Sequence, residues 1–520
     1  MRDHRLHLAL LAGTAGTAAS LWLTDIPLGI PGEWTWQRID LPQEQLDDAL
    51  FGWLAAAITA FVYLVVCWLG LKRQAVCSRS EATLWLGGLM AAASCWLWTA
   101  QEGPAAPYGM TRIPWVLYYR GPSGYFHTAR YEMPDTRTFV ADYEKRMSEG
   151  DVLHIGTHPP GLFLLHRGFI NLCHEFPALT RLLLDTVPDS VDAGFATISD
   201  QTRLSGISFG DKDRAAIWLA ALVTQLAVIA TILPLYLLLR QSFSRAASWM
   251  AVSFWPLLPA LAIFLPKSDA LYPLLSTTFL CCWMAGIRRR SALLCLIAGL
   301  VFWLGMLLSL ALLPTALLAG FLCLWETRLR NDAQANQRWL ARLSLSVGWA
   351  AAAVGIAVLL VWLALETNLL NVWVWNYRNH AAFYDHHPRT YWKWFLVNPI
   401  EGCFAVGWPV AILVAASFGK TVREAVPWSA PKLGPFYGCL IVWGLLWLSG
   451  KNMGEAARLW IVNMPWLIWL CGNYFSPVTA AKDVVLDSAN LSRVWLLILV
   501  LQVVACAATI TRVSGFHFPF

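Results

Sequence analysis

One polar stretch, residues 125–167, concentrates the residue types that could carry out chemistry. Asp135 follows a proline in this stretch, and the run THPPG occupies residues 157–161. A carboxylate in such a loop can act as a general base that takes a proton from a hydroxyl, and the imidazole of His158 can position a substrate or contact a phosphate. Two plainer roles stay open. An aspartate after a proline can cap a helix through its first-turn N–H groups, and His158 can be a turn residue.

Three later loops carry further charged and aromatic side chains. Arginine binds phosphate through a planar fork of donors, and lysine binds it as a point charge. The candidate phosphate ligands are therefore the basic residues of these loops, Lys267, Arg378, Arg389 and Arg458. The remaining candidates for positioning a substrate are His158, Asp269, Tyr384 and Glu455.

The same residues also have structural explanations that the sequence leaves open. Lys267 and Asp269 can form a local pair at a helix start. Glu455 and Arg458 are three residues apart and can pair on one helix face. The aromatic residues of 366–398 fit an interfacial belt, although its Arg, His and Tyr residues exceed what a belt needs and could bind sugar and phosphate.

No cofactor is indicated, and no metal ligand is assigned. His380, Asp385, His386 and His387 lie in one loop, but adjacent side chains are poorly placed to bind one metal ion. A divalent metal is left open. The 12 cysteines lie mostly within apolar runs without ligand spacing, so we expect them to act as small apolar residues.

The composition predicts an all-α polytopic membrane protein. Of the 520 residues, 58% are hydrophobic and 13% charged, whereas a soluble domain carries about 25% charged residues. Apolar runs of about 20 residues, the length of a membrane-spanning helix, recur along the chain. We predict about thirteen spans, at residues 7–24, 51–71, 83–100, 214–239, 247–265, 270–287, 291–307, 311–325, 343–365, 399–418, 433–449, 459–475 and 494–511.

The distribution of Lys and Arg predicts the orientation. With the N-terminus inside, most basic residues fall in cytoplasmic loops, as the positive-inside rule requires. This also explains the net charge of +6 without a nucleic-acid partner. The long loop 101–213 then lies outside with the loops around residues 267, 378 and 455, and we expect interfacial helices within it. No internal loop has a Gly-rich phosphate-binding run, which argues against a kinase or an ATP-driven transporter.

The order of these features resembles the C-type (GT-C) membrane glycosyltransferases, such as protein O-mannosyltransferases and the aminoarabinose transferase of lipid A. In that family an acidic residue on the first external loop precedes a His-Pro-Pro run, and Asp135 and His158-Pro159-Pro160 occupy those places here. The GEAARLW segment, Gly454–Trp460, is similar to last-loop segments of bacterial members. The resemblance covers residues 83–520 as the glycosyltransferase domain, with residues 1–82 as a two-span addition.

The resemblance implies an inverting transferase in the cell membrane that acts on the extracytoplasmic side. Its donor would be a polyprenyl-phosphate-linked sugar and its acceptor a hydroxyl of a lipid, glycan or protein. Asp135 would be the base, and Lys267, Arg378, Arg389 and Arg458 would hold the lipid phosphate. The acidic pair common after the first span is absent, so Glu132, Glu102 and Asp25 stay as rival bases. The alternative function is a transporter or flippase for lipid-linked saccharides.

Overall fold

The computed structural model describes residues 2–40, 46–74, 77–150, 153–329, 339–423, 433–476 and 488–517. The described chain is mostly helical, as predicted. The first part forms α1 (Arg2–Trp22), β1 (Gly29–Ile30), β2 (Trp34–Thr35), β3 (Gln37–Arg38), α2 (Leu46–Gln74) and α3 (Arg79–Glu102). The long loop 101–213 forms α4 (Arg112–Tyr118), α5 (Tyr125–Tyr131), α6 (Thr136–Ala141), α7 (Tyr143–Ser148), α8 (Gly161–Glu175), α9 (Pro177–Leu184) and α10 (Asp189–Leu204).

The rest of the chain contains the main apolar bundle. Its first half forms α11 (Asp211–Ala230), α12 (Ile232–Leu239), α13 (Arg245–Val252), α14 (Pro259–Phe264), α15 (Tyr272–Arg289), α16 (Ala292–Leu308), α17 (Leu313–Leu324) and α18 (Trp339–Leu365). Its second half forms α19 (Leu369–His386), α20 (Tyr391–Val406), α21 (Trp408–Arg423), α22 (Leu433–Ser449), α23 (Ala456–Leu459), α24 (Met464–Phe475), α25 (Ser488–Ile510) and β4 (Val513–Ser514). Short 3₁₀ turns include Ser268–Leu271, Leu310–Leu312 and Ile461–Asn463.

Seven helical segments in the described chain are long and apolar enough to cross a membrane. They are Leu50–Gln74, Asp211–Leu239, Arg245–Phe264, Ser268–Arg289, Leu310–Thr327, Leu340–Leu365 and Asn490–Ile510. The bent pair α20 and α21 would make an eighth. The predicted count of thirteen is therefore not confirmed. Two predicted spans form shorter apolar helices, α16 and α22, and predicted span 459–475 is divided among α23, a 3₁₀ turn and α24.

The bend of 110° between α20 and α21 occurs at Gly407, whose φ is +86°. A helix break exposes backbone groups that hydrocarbon cannot solvate, so a neighbouring side chain must satisfy them. Gln502 of α25 does this, because its amide donates to the carbonyl of Val406 at 2.8 Å and accepts from the N–H of Val410 at 3.3 Å. A hydrogen-bonding side chain of the core thus stabilises the break between α20 and α21.

The loop between α1 and α2 forms a strap, residues 23–40, that connects both ends of the chain. Strands β1 and β2 pair as an antiparallel hairpin within the strap, and β3 pairs with β4 near the C-terminus. Helix α1 packs against α21 and α25. The division of the chain at residue 82 stays a prediction, although α1 and the strap contact elements of the predicted catalytic domain.

The Pro-Pro-Gly run begins helix α8 at a close helix–helix contact. A Cβ added to Gly161 would lie 2.4 Å from the carbonyl oxygen of Leu307 in α16. Gly161→Ala should therefore destabilise the protein by about 1–3 kcal/mol through overpacking. Thermal unfolding of the purified chain in detergent measures this loss.

Gly168, on the exposed face of the same helix, is the matched control. An added Cβ there meets nothing within 4 Å, so Gly168→Ala should leave the protein unchanged or stabilise it by about 0.5–1 kcal/mol. Equal melting temperatures for the two variants would contradict the close contact.

Candidate active site

A polar cavity of about 490 Å³ lies where the strap, the long loop and the ends of several bundle helices meet. Seven of the predicted site residues line it, although they are spread over some 300 positions of sequence. They are His158, Lys267, Asp269, Tyr384, Arg389, Glu455 and Arg458. The fold thus brings together loops that share, in the sequence, only their predicted side of the membrane.

The cavity has an excess of positive charge. Its lining contains the cations Lys267, Arg389, Lys451 and Arg458 and the carboxylates Asp269 and Glu455, among the residues that the structure describes. Walls of low dielectric strengthen the field of such a group of charges. The cavity is therefore suited to an anionic ligand.

Arg458 lies on the one-turn helix α23 and points into this cavity. Its guanidinium donates to the carboxylate of Glu455 at 2.7 Å, while its Nε is buried without a hydrogen-bond partner in the described structure. Burial by itself lowers the pKa of Arg458, but the negative charges of Glu455 and Asp269 outweigh burial and raise the pKa. The residue is thus a permanent cation with a donor free for a ligand.

Lys267 lies between α14 and the 3₁₀ turn that leads into α15, with only 7% of its surface exposed. Burial lowers its pKa to about 8, and the neighbouring charge of Arg458 contributes, while Asp269 acts in the opposite direction. An ammonium group whose pKa is lowered by burial is stabilised when an anion binds beside it, because the negative charge compensates for the solvation that burial removes.

Asp269 follows two residues after Lys267 and is half-buried against the cavity. The described structure gives its carboxylate no hydrogen bond and no ion pair within 4.0 Å. Glu455, in contrast, is paired with Arg458 and has a left-handed backbone with φ of +55°. Of these two cavity carboxylates, Asp269 is the one available to accept a proton.

His158 and Tyr384 complete the predicted set. The Nδ1 atom of His158 lies 3.1 Å from the hydroxyl of Thr157. Burial lowers the pKa of His158 well below its usual value, with further lowering by His154 and Lys267, so its ring is neutral at pH 7. The hydroxyl of Tyr384 donates to the carbonyl of Lys451 at 2.6 Å and accepts from the N–H of Met453 at 2.9 Å. Tyr384 therefore holds the 451–455 loop.

Asp135, the predicted base, is not among the residues that line the cavity. It is exposed at the N-cap of α6, where its carboxylate accepts from the N–H of Thr138 at 2.7 Å. The hydrogen bonds from Thr138 lower the pKa of Asp135. The geometry matches the role of a helix cap, because Asp135 has the extended backbone of an N-cap residue and its carboxylate accepts from a first-turn N–H.

The rival carboxylates also lie outside the cavity lining. Glu132 pairs with Arg120, and Glu102 accepts from the hydroxyl of Ser190 at 2.6 Å. Asp25 is exposed in the strap. Glu132 and Glu102 thus contact neighbouring side chains, and Asp25 faces solvent.

Arg378, predicted to hold the donor phosphate, also lies outside the cavity lining. It is exposed on α19, and its guanidinium lies 5.5 Å from the centre of the Trp375 ring. Helical periodicity explains this, because residues 376, 377, 380 and 384 of the same helix line the cavity, whereas position 378 lies on another face. Trp392 is likewise 63% exposed, as expected for an interfacial belt.

Several cavity residues were not predicted from the sequence. Trp34 of the strap and His154 of the long loop line the cavity, as do Asn376 and Asn463. Lys451 lies in the GKNMGEAARLW run. The cluster of Gly and charged residues in this run could have indicated Lys451 as a site residue. No group of three or more His, Cys, Asp or Glu side chains arranged to bind a metal ion occurs among the described residues.

Comparisons with known proteins add only a distant similarity. No family model matches the chain, and no curated protein sequence matches it. The structure is similar to an oligosaccharyltransferase of Archaeoglobus fulgidus in complex with zinc and sulfate, with 13% identity over 74% of this chain and 54% of that chain and a TM-score of 0.40. It is also similar to the oligosaccharyltransferase AglB of the same organism in complex with an inhibitory peptide and a dolichol-phosphate, with 12% identity over 75% of this chain and 57% of that chain and a TM-score of 0.37.

This chain thus spans little more than half the length of the solved structures that it matches. Similarity of this degree assigns no function.

Proposed function

We propose that the chain is an inverting glycosyltransferase that moves a sugar from a polyprenyl-phosphate-linked donor to a hydroxyl of a lipid, glycan or protein. The observation that carries this proposal is a cavity in which the buried cation Lys267 and the half-buried cation Arg458 lie beside the unpaired carboxylate Asp269. A phosphate leaving group requires the cations, and a hydroxyl nucleophile requires the base.

An apolar groove beside the cavity supports a lipid-linked donor. The groove, about 790 Å³ in volume, is lined by residues of α15, α16, α17 and α18, with few polar atoms. Helix α17 connects the two sites, because Pro314 lines the cavity and Ala316 and Gly320 line the groove. A phosphate in the cavity would therefore have its hydrocarbon chain directed into a groove of matching chemistry.

The proposed reaction is one displacement at the anomeric carbon. The acceptor oxygen forms a bond to this carbon while the bond from the carbon to the phosphate oxygen breaks. The proton of the acceptor hydroxyl passes to the carboxylate of Asp269. The electron pair of the broken bond leaves with the polyprenyl phosphate, whose negative charge Lys267 and Arg458 stabilise. Attack opposite to the leaving group inverts the anomeric configuration.

The charge distribution supports the extracytoplasmic side as the location of the cavity. Lys267 and Asp269 precede α15, and Arg288, Arg289 and Arg290 lie at its other end. The 18 residues of α15 span about 27 Å, close to the thickness of the hydrocarbon core. With the arginines on the cytoplasmic side, as the positive-inside rule predicts, the cavity opens on the opposite side.

A reconstitution experiment tests this function against the flippase alternative. Purified chain in proteoliposomes is given a panel of polyprenyl-phosphate-linked sugars and a membrane glycolipid and protein extract as acceptor. Mass spectrometry should detect free polyprenyl phosphate and a glycosylated acceptor. Movement of the intact donor between leaflets without transfer would instead establish the flippase.

The pH dependence of kcat/KM should report the ionisation of Lys267. Because its pKa is lowered to about 8, the ammonium loses its proton as pH rises through that value, and phosphate binding weakens. We therefore expect kcat/KM to fall above about pH 8. Lys267→Arg keeps the charge at all these pH values and should remove this alkaline fall. A fall that persists unchanged in Lys267→Arg would assign it to another group.

A further inference from the structure

Trp34 of the strap lines the cavity but has no role in the reaction proposed above. Its ring centre lies 6.4 Å from that of Trp36 and 6.4 Å from that of Trp394. Trp36 and Trp394 are almost fully buried, whereas Trp34 is half-buried and lines the cavity. Trp34 is therefore the member of this aromatic group whose ring is available to a ligand.

The strap is held firmly against the cavity by Glu33. Its carboxylate accepts from the N–H of Thr390 at 2.8 Å, the hydroxyl of Thr390 at 2.6 Å and the indole of Trp394 at 2.7 Å. The ammonium of Lys393 lies 3.4 Å away. Burial alone raises the pKa of Glu33, but the hydrogen bonds from these residues outweigh it and lower the pKa to about 2. The carboxylate is thus charged at every physiological pH.

The strap also contacts both of the later loops that carry cavity cations. Arg389 donates to the backbone carbonyl of Glu33. A Cβ at Gly454, just before Glu455, would lie 3.5 Å from the Cβ of Trp34 and 3.4 Å from the Nε of Arg389. The strap therefore fixes the distance between Trp34 and the proposed phosphate-binding side chains.

A second contact reaches the turn that carries Arg458. The indole of Trp36 donates to Glu401 at 3.1 Å, and the same carboxylate oxygen accepts from the N–H of Ala457, also at 3.1 Å. Glu401 thereby joins the strap to α23. Hydrogen bonds thus hold both the 389–394 segment and α23 in position relative to the strap.

We propose that the strap is the sugar-recognition element of the site, in which Trp34 packs against the apolar face of the donor sugar and Glu33 is the positioning residue that holds Trp34 beside the phosphate-binding cations. This inference rests on the proposed function. A sugar ring presents C–H groups on one face and hydroxyls at its edge. An indole in a cavity that Lys, Arg, Asn and Tyr side chains also line offers the matching apolar face and polar rim. The apolar groove contains no strap residue, so Trp34 is separate from the site proposed for the lipid chain.

Binding measurements on the full chain in nanodiscs separate sugar recognition from phosphate recognition. The probes are polyprenyl phosphate and its sugar-linked forms. Trp34→Ala should weaken binding of the sugar-linked lipid about tenfold, or about 1.4 kcal/mol, and leave binding of bare polyprenyl phosphate unchanged. Trp34→Phe should restore most of the affinity. Trp392→Ala, which removes an exposed indole outside the cavity, is the matched control and should change neither affinity.

The role of Glu33 is tested by its coupling to Trp34. Glu33→Ala removes the carboxylate but keeps the backbone carbonyl that Arg389 uses, so it should raise KM for the sugar-linked donor more than it lowers kcat. The double variant Glu33→Ala/Trp34→Ala should be no worse than Trp34→Ala alone, because both changes remove the same contact. Additive losses would overturn the positioning role.

The outcomes also distinguish this inference from the function on which it rests. If the wild-type chain transfers sugar and Trp34→Ala weakens both lipids equally or neither, the strap proposal is overturned and the transferase proposal stands. If the wild-type chain binds neither lipid and transfers no sugar, both are overturned.

Discussion

Asp269→Asn is expected to lower kcat for sugar transfer by about 10²–10⁴-fold, the usual contribution of a general base. The amide keeps the size of the side chain but cannot take the proton of the acceptor hydroxyl. Binding of the donor should change much less, because the charge of Arg458 is also held by Glu455. Single-turnover transfer by the purified variant measures the chemical step directly.

Asp135→Asn is the control that separates the two aspartates. Its carboxylate caps α6 at the protein surface, and asparagine is also a good N-cap residue. We therefore expect nearly wild-type transfer and a small change in melting temperature. Loss of transfer in Asp135→Asn with retained transfer in Asp269→Asn would reverse the assignment of the base.

Arg458→Ala should lower kcat by about 10²–10³-fold, as removal of one donor to a developing oxyanion commonly does. The phosphate loses the guanidinium whose buried Nε has no hydrogen-bond partner among the described residues, and Glu455 is left without its cation. Arg458→Lys keeps the charge but loses the planar fork, so its loss should be intermediate. Transfer kinetics with melting temperatures separate a catalytic loss from unfolding.

The matched control for Arg458 is Arg378→Ala. Both arginines were candidate phosphate ligands by sequence, but Arg378 is exposed over Trp375 and does not line the cavity. We expect Arg378→Ala to retain transfer. Equal losses in the two variants would mean that the donor phosphate binds outside this cavity.

The helical membrane fold could be predicted from composition and apolar run length, because hydrocarbon requires every backbone group to be satisfied within a helix. The number of spans could not be predicted in the same way. Whether an apolar run continues through the bilayer or breaks depends on partners distant in sequence. The bend at Gly407, for example, is supported by Gln502, almost a hundred residues later.

The candidate site was predicted in its residue types more than in its geometry. Lys267, Arg389 and Arg458 stood out because cations are rare in an apolar chain. Asp135 was predicted as the base and Asp269 only as a positioning residue. Each begins a helical segment, and capping looks the same in sequence whether the carboxylate faces solvent or a cavity. Trp34 gave no signal, since the strap reaches the cavity through tertiary contacts, such as those of Glu33 and Trp36, with residues distant in sequence.

The most direct test of the proposed function is a cryo-electron microscopy structure of the full chain in nanodiscs with a non-hydrolysable phosphonate analogue of a polyprenyl-phosphate-linked sugar. We expect phosphonate oxygens within hydrogen-bonding distance of Lys267 and Arg458 and a hydrocarbon chain in the groove between α15 and α18. The carboxylate of Asp269 should lie on the side of the anomeric carbon opposite to the phosphonate. A phosphonate bound outside this cavity would contradict the proposed function. So would a sugar whose anomeric carbon has Asp269 out of reach of the face that the acceptor attacks.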